Sequence, residues 1–228
     1  MEKNMFDHLE ELHAKSWGVM SFFESLPEKD IRRKHLEVLS SEITSSLVTL
    51  KICFRFTETN SEEFEHMLNN DTAQIDNYIH NFKQSILESI FDTSLFQTEL
   101  VLRILYGKLT NQNPAKESSI NKIIATLFDD VENNWQKEEA RVLVLFWTMR
   151  NTIHTGGIYF KKPEGYTVMY RGKEYRFEYM KGFQFLDDWH LIQLFSDFLD
   201  SLKYLFGTEK IEQLGTIEHP SYYALGYS

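Results

Sequence analysis

Residues Ala140–Gly157, ARVLVLFWTMRNTIHTGG, contain the strongest structural signal in the chain. Its first ten residues are almost wholly apolar and are interrupted only by Arg141 and Thr148. A helix that is apolar on nearly all of its faces is a buried helix. We therefore predict a core helix over residues 136–154 that ends at the protein surface, where one of the two glycines supplies the left-handed residue that stops it.

Most of the remaining chain also has helical periodicity, because apolar residues recur at steps of three and four. This pattern predicts helices over residues 5–24, 28–57, 71–91, 118–133 and 186–206, one that begins near Ser61, and one capped by Asp92 or Thr93. Residues 166–179 differ, because they are aromatic and β-branched and alternate around Gly172, as in a β-hairpin.

The predicted fold class is therefore all-α, a multi-helix bundle with a small β-hairpin inserted between its last two long helices. We expect a single domain over residues 1–228, since a chain of this length fits one domain with an elaboration. The elaboration is the hairpin region, at about 158–184, and a short irregular tail follows at 208–228.

Arg150 and His154 stand four residues apart, on one face of the predicted core helix. A guanidinium binds phosphate oxygens, and an imidazole transfers protons near neutral pH. The pair therefore suits the chemistry of a phosphodiester. Cations also end helices for a simpler reason, since they complement the helix dipole and bind its free carbonyl groups.

The segment RNTIHTGGIY, which begins at Arg150, resembles the motif of the HEPN superfamily. That motif is an Arg, a polar residue and a His near the end of a core helix, here Arg150, Asn151 and His154. The resemblance extends over the helical body, residues 30–206. One departure is the spacing, since this chain places only three residues between the Arg and the His, fewer than is common in the family.

The resemblance implies a small helical domain, in many members a metal-independent ribonuclease of toxin or phage-defence systems. We therefore expect an endoribonuclease that uses attack by the ribose 2′-hydroxyl and needs no metal or cofactor, with Arg150, Asn151 and His154 as catalytic residues. One His cannot act as base and acid at once, whereas two copies across a twofold axis can. The family commonly builds its site at such a dimer interface, so a homodimer is expected, and an antitoxin protein is a further partner that the resemblance implies.

Two other interpretations stay open. The short Arg-to-His spacing and the formal net charge of −10 favour a non-catalytic helical module that binds a nucleotide, RNA or a protein partner. In the third interpretation, Arg150 and His154 only cap a buried helix in an interaction protein.

The charge is uneven along the chain. Residues 150–182 hold seven Lys and Arg against three Asp and Glu, a local charge of +4, so the remainder carries −14. A basic surface on an acidic body can bind a polyanion, which makes Lys161, Lys162 and Arg171 candidate RNA contacts, although a solvated hairpin has the same composition. Glu99 is a candidate for orienting Arg150 or His154, and its simpler role is an ion pair within its own helix.

Other features bear on location and cofactors. No run of apolar residues is long enough to cross a membrane, and the N-terminal sequence is acidic and amphipathic, unlike a signal peptide. The single cysteine, Cys53, forms no disulfide within the chain, which fits the cytoplasm. No cluster of Cys or His has the spacing of metal ligands, so no metal is expected.

Overall fold

The computed structural model describes residues 5–59, 62, 66, 72–113, 117, 119–130, 135–155, 158–182 and 188–220. Its helices are α1 (Met5–Phe22), α2 (Ile31–Thr59), α3 (Thr72–Thr110), α4 (Ile120–Leu127), α5 (Glu138–His154), α6 (Asp188–Phe206) and α7 (Glu209–Glu212), and its strands are β1 (Tyr166–Tyr170) and β2 (Lys173–Phe177). The chain is thus mostly helical with one small antiparallel hairpin, which confirms the predicted bundle.

Helix α5 is buried on all sides, as its apolar sequence predicts. Every residue from Val142 to Met149 is buried. The ring of Phe146 stacks between two neighbouring helices, 5.1 Å from Phe91 of α3 and 5.0 Å from Phe198 of α6, measured between ring centroids. Aromatic pairs at such distances add to the stabilisation that burial provides. The helix therefore forms the centre of the bundle.

Helices α3, α4 and α6 pack directly on α5, and the remaining long helices extend the bundle around them. Helix α1 packs against α2 and α6, and α2 packs against α3. Helix α4 lies between α3 and α5. Within the described part of the chain, no helix combines the length and the hydropathy that crossing a membrane requires.

The hairpin lies against α5 and α6, on the side where its residues are apolar. Strand β1 contacts α5, and the hydroxyl of Tyr170 donates a hydrogen bond of 2.8 Å to Asp197 of α6. Arg171 and Gly172 form the two-residue turn, with φ angles of 46° and 72°. Turns of this type need left-handed backbone at both central residues, and glycine adopts it without strain. The turn predicted at Gly172 is therefore confirmed.

The predicted boundary at Asp92 or Thr93 is wrong, because α3 runs without a break over 39 residues. Phe91 and Leu95 are both buried on either side of that point, so the apolar stripe continues and tertiary packing overrides the preference of Asp and Thr for helix caps. Helix α4 is shorter than predicted, and α7 forms where the tail was expected to be irregular. The helix predicted to begin near Ser61 and the two glycines after α5 lie outside the described residues.

A buried ion pair fastens the segment after α7 to the start of α2. The guanidinium of Arg32 contacts both carboxylate oxygens of Asp30, at 2.9 and 2.7 Å, and both side chains are almost completely inaccessible to solvent. Arg32 also donates to the carbonyl of Gly215 at 2.8 Å, and the backbone N–H of Ile217 donates to Asp30. The pair is therefore fully hydrogen-bonded, as a buried ion pair must be.

We expect Arg32→Met to lower the free energy of unfolding by about 3–5 kcal/mol, because it leaves the Asp30 carboxylate buried without its partner. Urea denaturation followed by circular dichroism measures this loss. The matched control is Arg176→Met, which removes an Arg from an exposed pair with Glu174 and should leave the denaturation midpoint almost unchanged. Equal shifts of the denaturation midpoint in the two variants would show that the buried pair stabilises the fold no more than the exposed pair does.

Candidate functional site

Arg150 lies in the last turn of α5 and is half-buried. Its Nη1 atom is 3.8 Å from Oε2 of Glu99 on α3, a loose ion pair. Glu99 is bound more closely to Arg103, whose Nε and Nη2 donate to Oε1 at 2.9 and 2.7 Å. Glu99 therefore lies next to the Arg150 guanidinium without a hydrogen bond to it in the described structure, and its role in orienting Arg150 stays a prediction.

Asn151 and His154 complete the predicted trio. Asn151 is half-buried, and within the described part of the chain its side-chain amide has no hydrogen-bond partner. His154 is the last residue of α5, one turn after Arg150, so the two backbone positions share a helix face. The side chain of His154 lies outside the described structure.

Two adjoining depressions lie beside these residues. The first, which we term the α4–α5 cleft, has a volume of about 320 Å³ and is lined by Ser119, Asn121, Lys122, Trp135, Thr148, Asn151, Tyr159, Lys161, Lys162 and Tyr166. The second, which we term the Arg150 pocket, has a volume of about 590 Å³ and is lined by Arg150, Asn151, Thr155, Tyr159, Phe160 and Lys161. Asn151, Tyr159 and Lys161 line both, so the two depressions adjoin each other, and we refer to them together as the groove.

The groove is cationic. Among the described residues that line it, there are four Lys and Arg side chains and no carboxylate. Lys122 is paired with Glu117 at 2.7 Å, and the ammonium of Lys162 lies 4.9 Å from the ring centre of Tyr166. Lys161 is exposed and has no ion pair within the described structure. A groove of this kind attracts anions although the whole chain is acidic.

Two tyrosine hydroxyls add hydrogen-bond donors to this surface. Burial raises the pKa of Tyr159 above its ordinary value. Burial also raises the pKa of Tyr166, although a hydrogen bond from Trp135 partly offsets that rise. Both hydroxyls therefore stay protonated at neutral pH, and the less buried one, that of Tyr166, is the better placed to donate to an anionic or carbonyl oxygen.

The structure brings most of the predicted site residues together, and Arg171 is the exception. Arg171 lies at the hairpin turn, where its backbone N–H donates to Glu138 at 3.2 Å and its guanidinium pairs with Asp197 at 2.8 Å. Glu138 is the first residue of α5, and Arg150 lies twelve positions further along it, about 18 Å away along the helix axis. Contact of Arg171 with RNA stays a prediction, whereas Glu99, Lys161 and Lys162 lie close to Arg150 and Asn151.

Trp135 is a site residue that the sequence analysis did not identify. It precedes α5 with a left-handed φ of 53°, a conformation that is strained for a residue other than glycine. Arg141 donates to its carbonyl oxygen, and the next N–H, of Gln136, donates to Asp130 at 2.9 Å. The only signal for this position in the sequence is weak, a tryptophan in a polar segment between two predicted helices.

Comparisons of the chain with protein-family models, with curated proteins and with solved structures found no match. The functional proposal therefore depends on the sequence motif and on the geometry of the groove.

We expect Arg171→Ala to lower the free energy of unfolding by about 1–2 kcal/mol. The carboxylate of its partner Asp197 is only 4% exposed, so removing the Arg171 guanidinium leaves a buried acceptor without that partner. Arg171 itself is 58% exposed, and solvent screening therefore reduces the loss of stability. Lys161→Ala should leave the stability unchanged within about 0.5 kcal/mol, because Lys161 is exposed and makes no ion pair within the described structure. Urea denaturation compares the two variants, and the reverse order would contradict these assignments.

Proposed function

We propose that this protein is a metal-independent endoribonuclease with Arg150, Asn151 and His154 as its catalytic residues. The observation that carries the proposal is the position of Arg150. Its guanidinium lies at the surface end of a fully buried helix, next to Glu99, and opens onto a cationic groove. An always-charged, bidentate donor in such a place suits a phosphodiester better than it suits a simple helix cap.

The proposed reaction needs no group beyond the protein and the RNA. A base removes the proton of a ribose 2′-hydroxyl, and the resulting oxygen attacks the adjacent phosphorus. The bond from phosphorus to the 5′-oxygen breaks, an acid protonates that oxygen, and the products are a 2′,3′-cyclic phosphate and a free 5′-hydroxyl. His154 is the proton-transfer residue. Arg150 stabilises the charge on the phosphate oxygens, and Asn151 binds the phosphate or holds the imidazole.

A homodimer is part of the proposal, because one imidazole cannot supply base and acid in the same step. Exposed aromatic residues beside the site support it. Phe160, which lines the Arg150 pocket, is 46% exposed, and its ring centroid lies 6.3 Å from that of Tyr179. Phe96, one turn before Glu99 on α3, is 64% exposed. Exposed apolar groups beside a site can mark an interaction surface, so we propose that the two copies meet with their Arg150 pockets facing each other.

We further propose a role as a cytoplasmic toxin or phage-defence effector that an antitoxin protein neutralises. The resemblance of the Arg-Asn-x-x-His segment to HEPN ribonucleases supports this role. A helical bundle with the motif at the end of its core helix is compatible with that resemblance.

The second candidate function is a non-catalytic module that binds a nucleotide, RNA or a protein partner. The contact between Arg150 and Glu99 favours it, because an Arg held by a carboxylate can serve binding alone. The two functions differ in one measurable respect: the module binds its ligand and leaves RNA uncut.

We expect His154→Ala and Arg150→Ala each to slow RNA cleavage in EDTA by about 10²–10⁴-fold, because each removes a group that acts in the transition state. Gel analysis of a labelled RNA and detection of the cyclic phosphate end measure the rate and the chemistry. Both variants should stay folded by circular dichroism, since a cation at a helix end contributes only about 0.3–1 kcal/mol through the dipole.

The controls for these variants are His13→Ala on α1 and Arg176→Ala on β2, both outside the groove. Full cleavage by His154→Ala, or cleavage that EDTA abolishes in the unmodified protein, would contradict the mechanism.

We also expect the unmodified protein to sediment as a dimer at micromolar concentration. Phe96→Asp should shift it towards monomer and reduce cleavage, because a carboxylate would be buried at the proposed interface. Ile52→Asp, at an equally exposed apolar position on α2, is the control and should change neither property. A protein that sediments as a monomer yet cleaves RNA would remove the composite site from the mechanism.

A further inference from the structure

The α4–α5 cleft has the dimensions of a small-molecule site and lies directly beside the proposed scissile phosphate. Its volume of about 320 Å³ is within the range of ligand pockets, about 300–1,000 Å³. It joins the Arg150 pocket along Asn151, Tyr159 and Lys161. A ligand in the cleft can therefore continue into the pocket without leaving the groove.

One wall of the cleft is aromatic and held in place. Trp135 keeps its strained left-handed backbone because Arg141 binds its carbonyl and Asp130 binds the following N–H. Its side chain and that of Tyr166 line the same cleft and pack against the core. Strained backbone persists where the surrounding structure enforces it, and such residues cluster at ligand sites. These contacts fix the indole at the edge of the groove, where it is only partly buried.

The other walls carry cations and amides. Lys161 and Lys162 are exposed at one side, and no Asp or Glu is among the described residues that line the cleft. The amides of Asn121 and Asn151 offer donors and acceptors, which suit the edge of a heterocyclic base. An aromatic wall, nearby amides and unopposed positive charge are together the features of a nucleotide site.

We propose that the α4–α5 cleft binds one nucleotide of a single-stranded RNA, with its base against Trp135 and Tyr166 and its phosphate at Lys161, so that the adjoining phosphate reaches Arg150. This inference rests on the proposed function and specifies its substrate. The cleft positions the strand, and the Arg150 pocket holds the bond that is cut.

The geometry favours a strand over a free nucleotide or a duplex. The groove extends past the cleft into a second cationic pocket, which a mononucleotide would leave empty. A base in a duplex is stacked on its neighbours and cannot lie against Trp135, whereas a base in a single strand can turn outward.

The first test measures binding in a His154→Ala background, so that the RNA stays intact. Fluorescence anisotropy of a labelled single-stranded oligoribonucleotide gives the Kd. Adding Trp135→Leu should raise the Kd about 5- to 100-fold through the loss of base stacking. Trp17→Leu is the control, because Trp17 is also partly exposed but lies on α1, where it bonds His13. Equal affinities for the two variants would overturn the proposal.

A second variant covers the case in which Trp135→Leu fails to fold. Lys161 makes no ion pair in the described structure, and Lys161→Ala should weaken binding and reduce the slope of log K against log salt by about 0.7. Lys203→Ala is its control, because it also removes one Lys charge but lies on α6, over the ring of Phe22 and away from the groove. An unchanged salt slope for Lys161→Ala would overturn the placement of the nucleotide phosphate at Lys161.

Competition experiments identify the form of the ligand. Unlabelled single-stranded RNA should displace the probe far better than duplex RNA or adenosine monophosphate. Equal displacement by duplex RNA or by the mononucleotide would contradict the strand-binding cleft.

The inference and the proposed function fail in different ways. Cleavage with no effect of Trp135→Leu or Lys161→Ala on binding would reject the cleft and keep the nuclease. Binding that depends on Trp135 and Lys161, without any cleavage by the unmodified protein, would support the cleft and reject the nuclease. Absence of both binding and cleavage would reject both.

Discussion

The burial of α5 on every side is the constraint on which the rest of the structure depends. An apolar helix with no solvent-facing stripe is stable in water only when other elements cover its whole circumference. Helices α3, α4 and α6 cover it together with the hairpin. The arrangement of these elements follows from that need, and the aromatic stacking of Phe146 between α3 and α6 fixes their spacing.

The same constraint determines where polar chemistry can occur. A helix that is buried along its length can place Arg150 and Asn151 only where it leaves the core, in its last turn. Glu99 and the residues after α5 meet there, and the chain entering α5 brings Trp135 to the same groove. The site therefore lies at the end of a buried core helix, and the proposed reaction depends on such fixed donors around a developing charge.

Hydrophobic periodicity predicts a helix or strand well when that element buries either one face or its whole circumference. The core helix, the long helices on either side and the hairpin turn at Gly172 are confirmed because each has a strong local signal. The break at Asp92 is wrong because a capping residue signals a helix end only when the apolar stripe stops there, and here Leu95 continues it. The local sequence around Asp92 does not show that the apolar stripe of α3 stays buried beyond this residue, and that this burial outweighs the preference of Asp for a helix cap.

The site was predictable in part for similar reasons. Glu99, Arg150 and Asn151 come together because helix positions determine which faces meet. Trp135 could not be found in this way, since its place in the groove depends on a left-handed backbone conformation that hydrogen bonds from Arg141 and to Asp130 support. The separate position of Arg171 depends on the register of the hairpin against α6, which charge patterning does not reveal.

The central claim is that the groove at the end of α5 directs a ribose 2′-hydroxyl onto its own phosphate. The most direct measurement compares a single-stranded oligoribonucleotide with the same oligomer carrying one 2′-deoxyribose at the cleaved position. In EDTA, we expect the oligoribonucleotide to be cleaved with a 2′,3′-cyclic phosphate end. We expect the oligomer with the 2′-deoxyribose to stay uncut at that bond. Equal cleavage of both oligomers, or cleavage of neither, would contradict it.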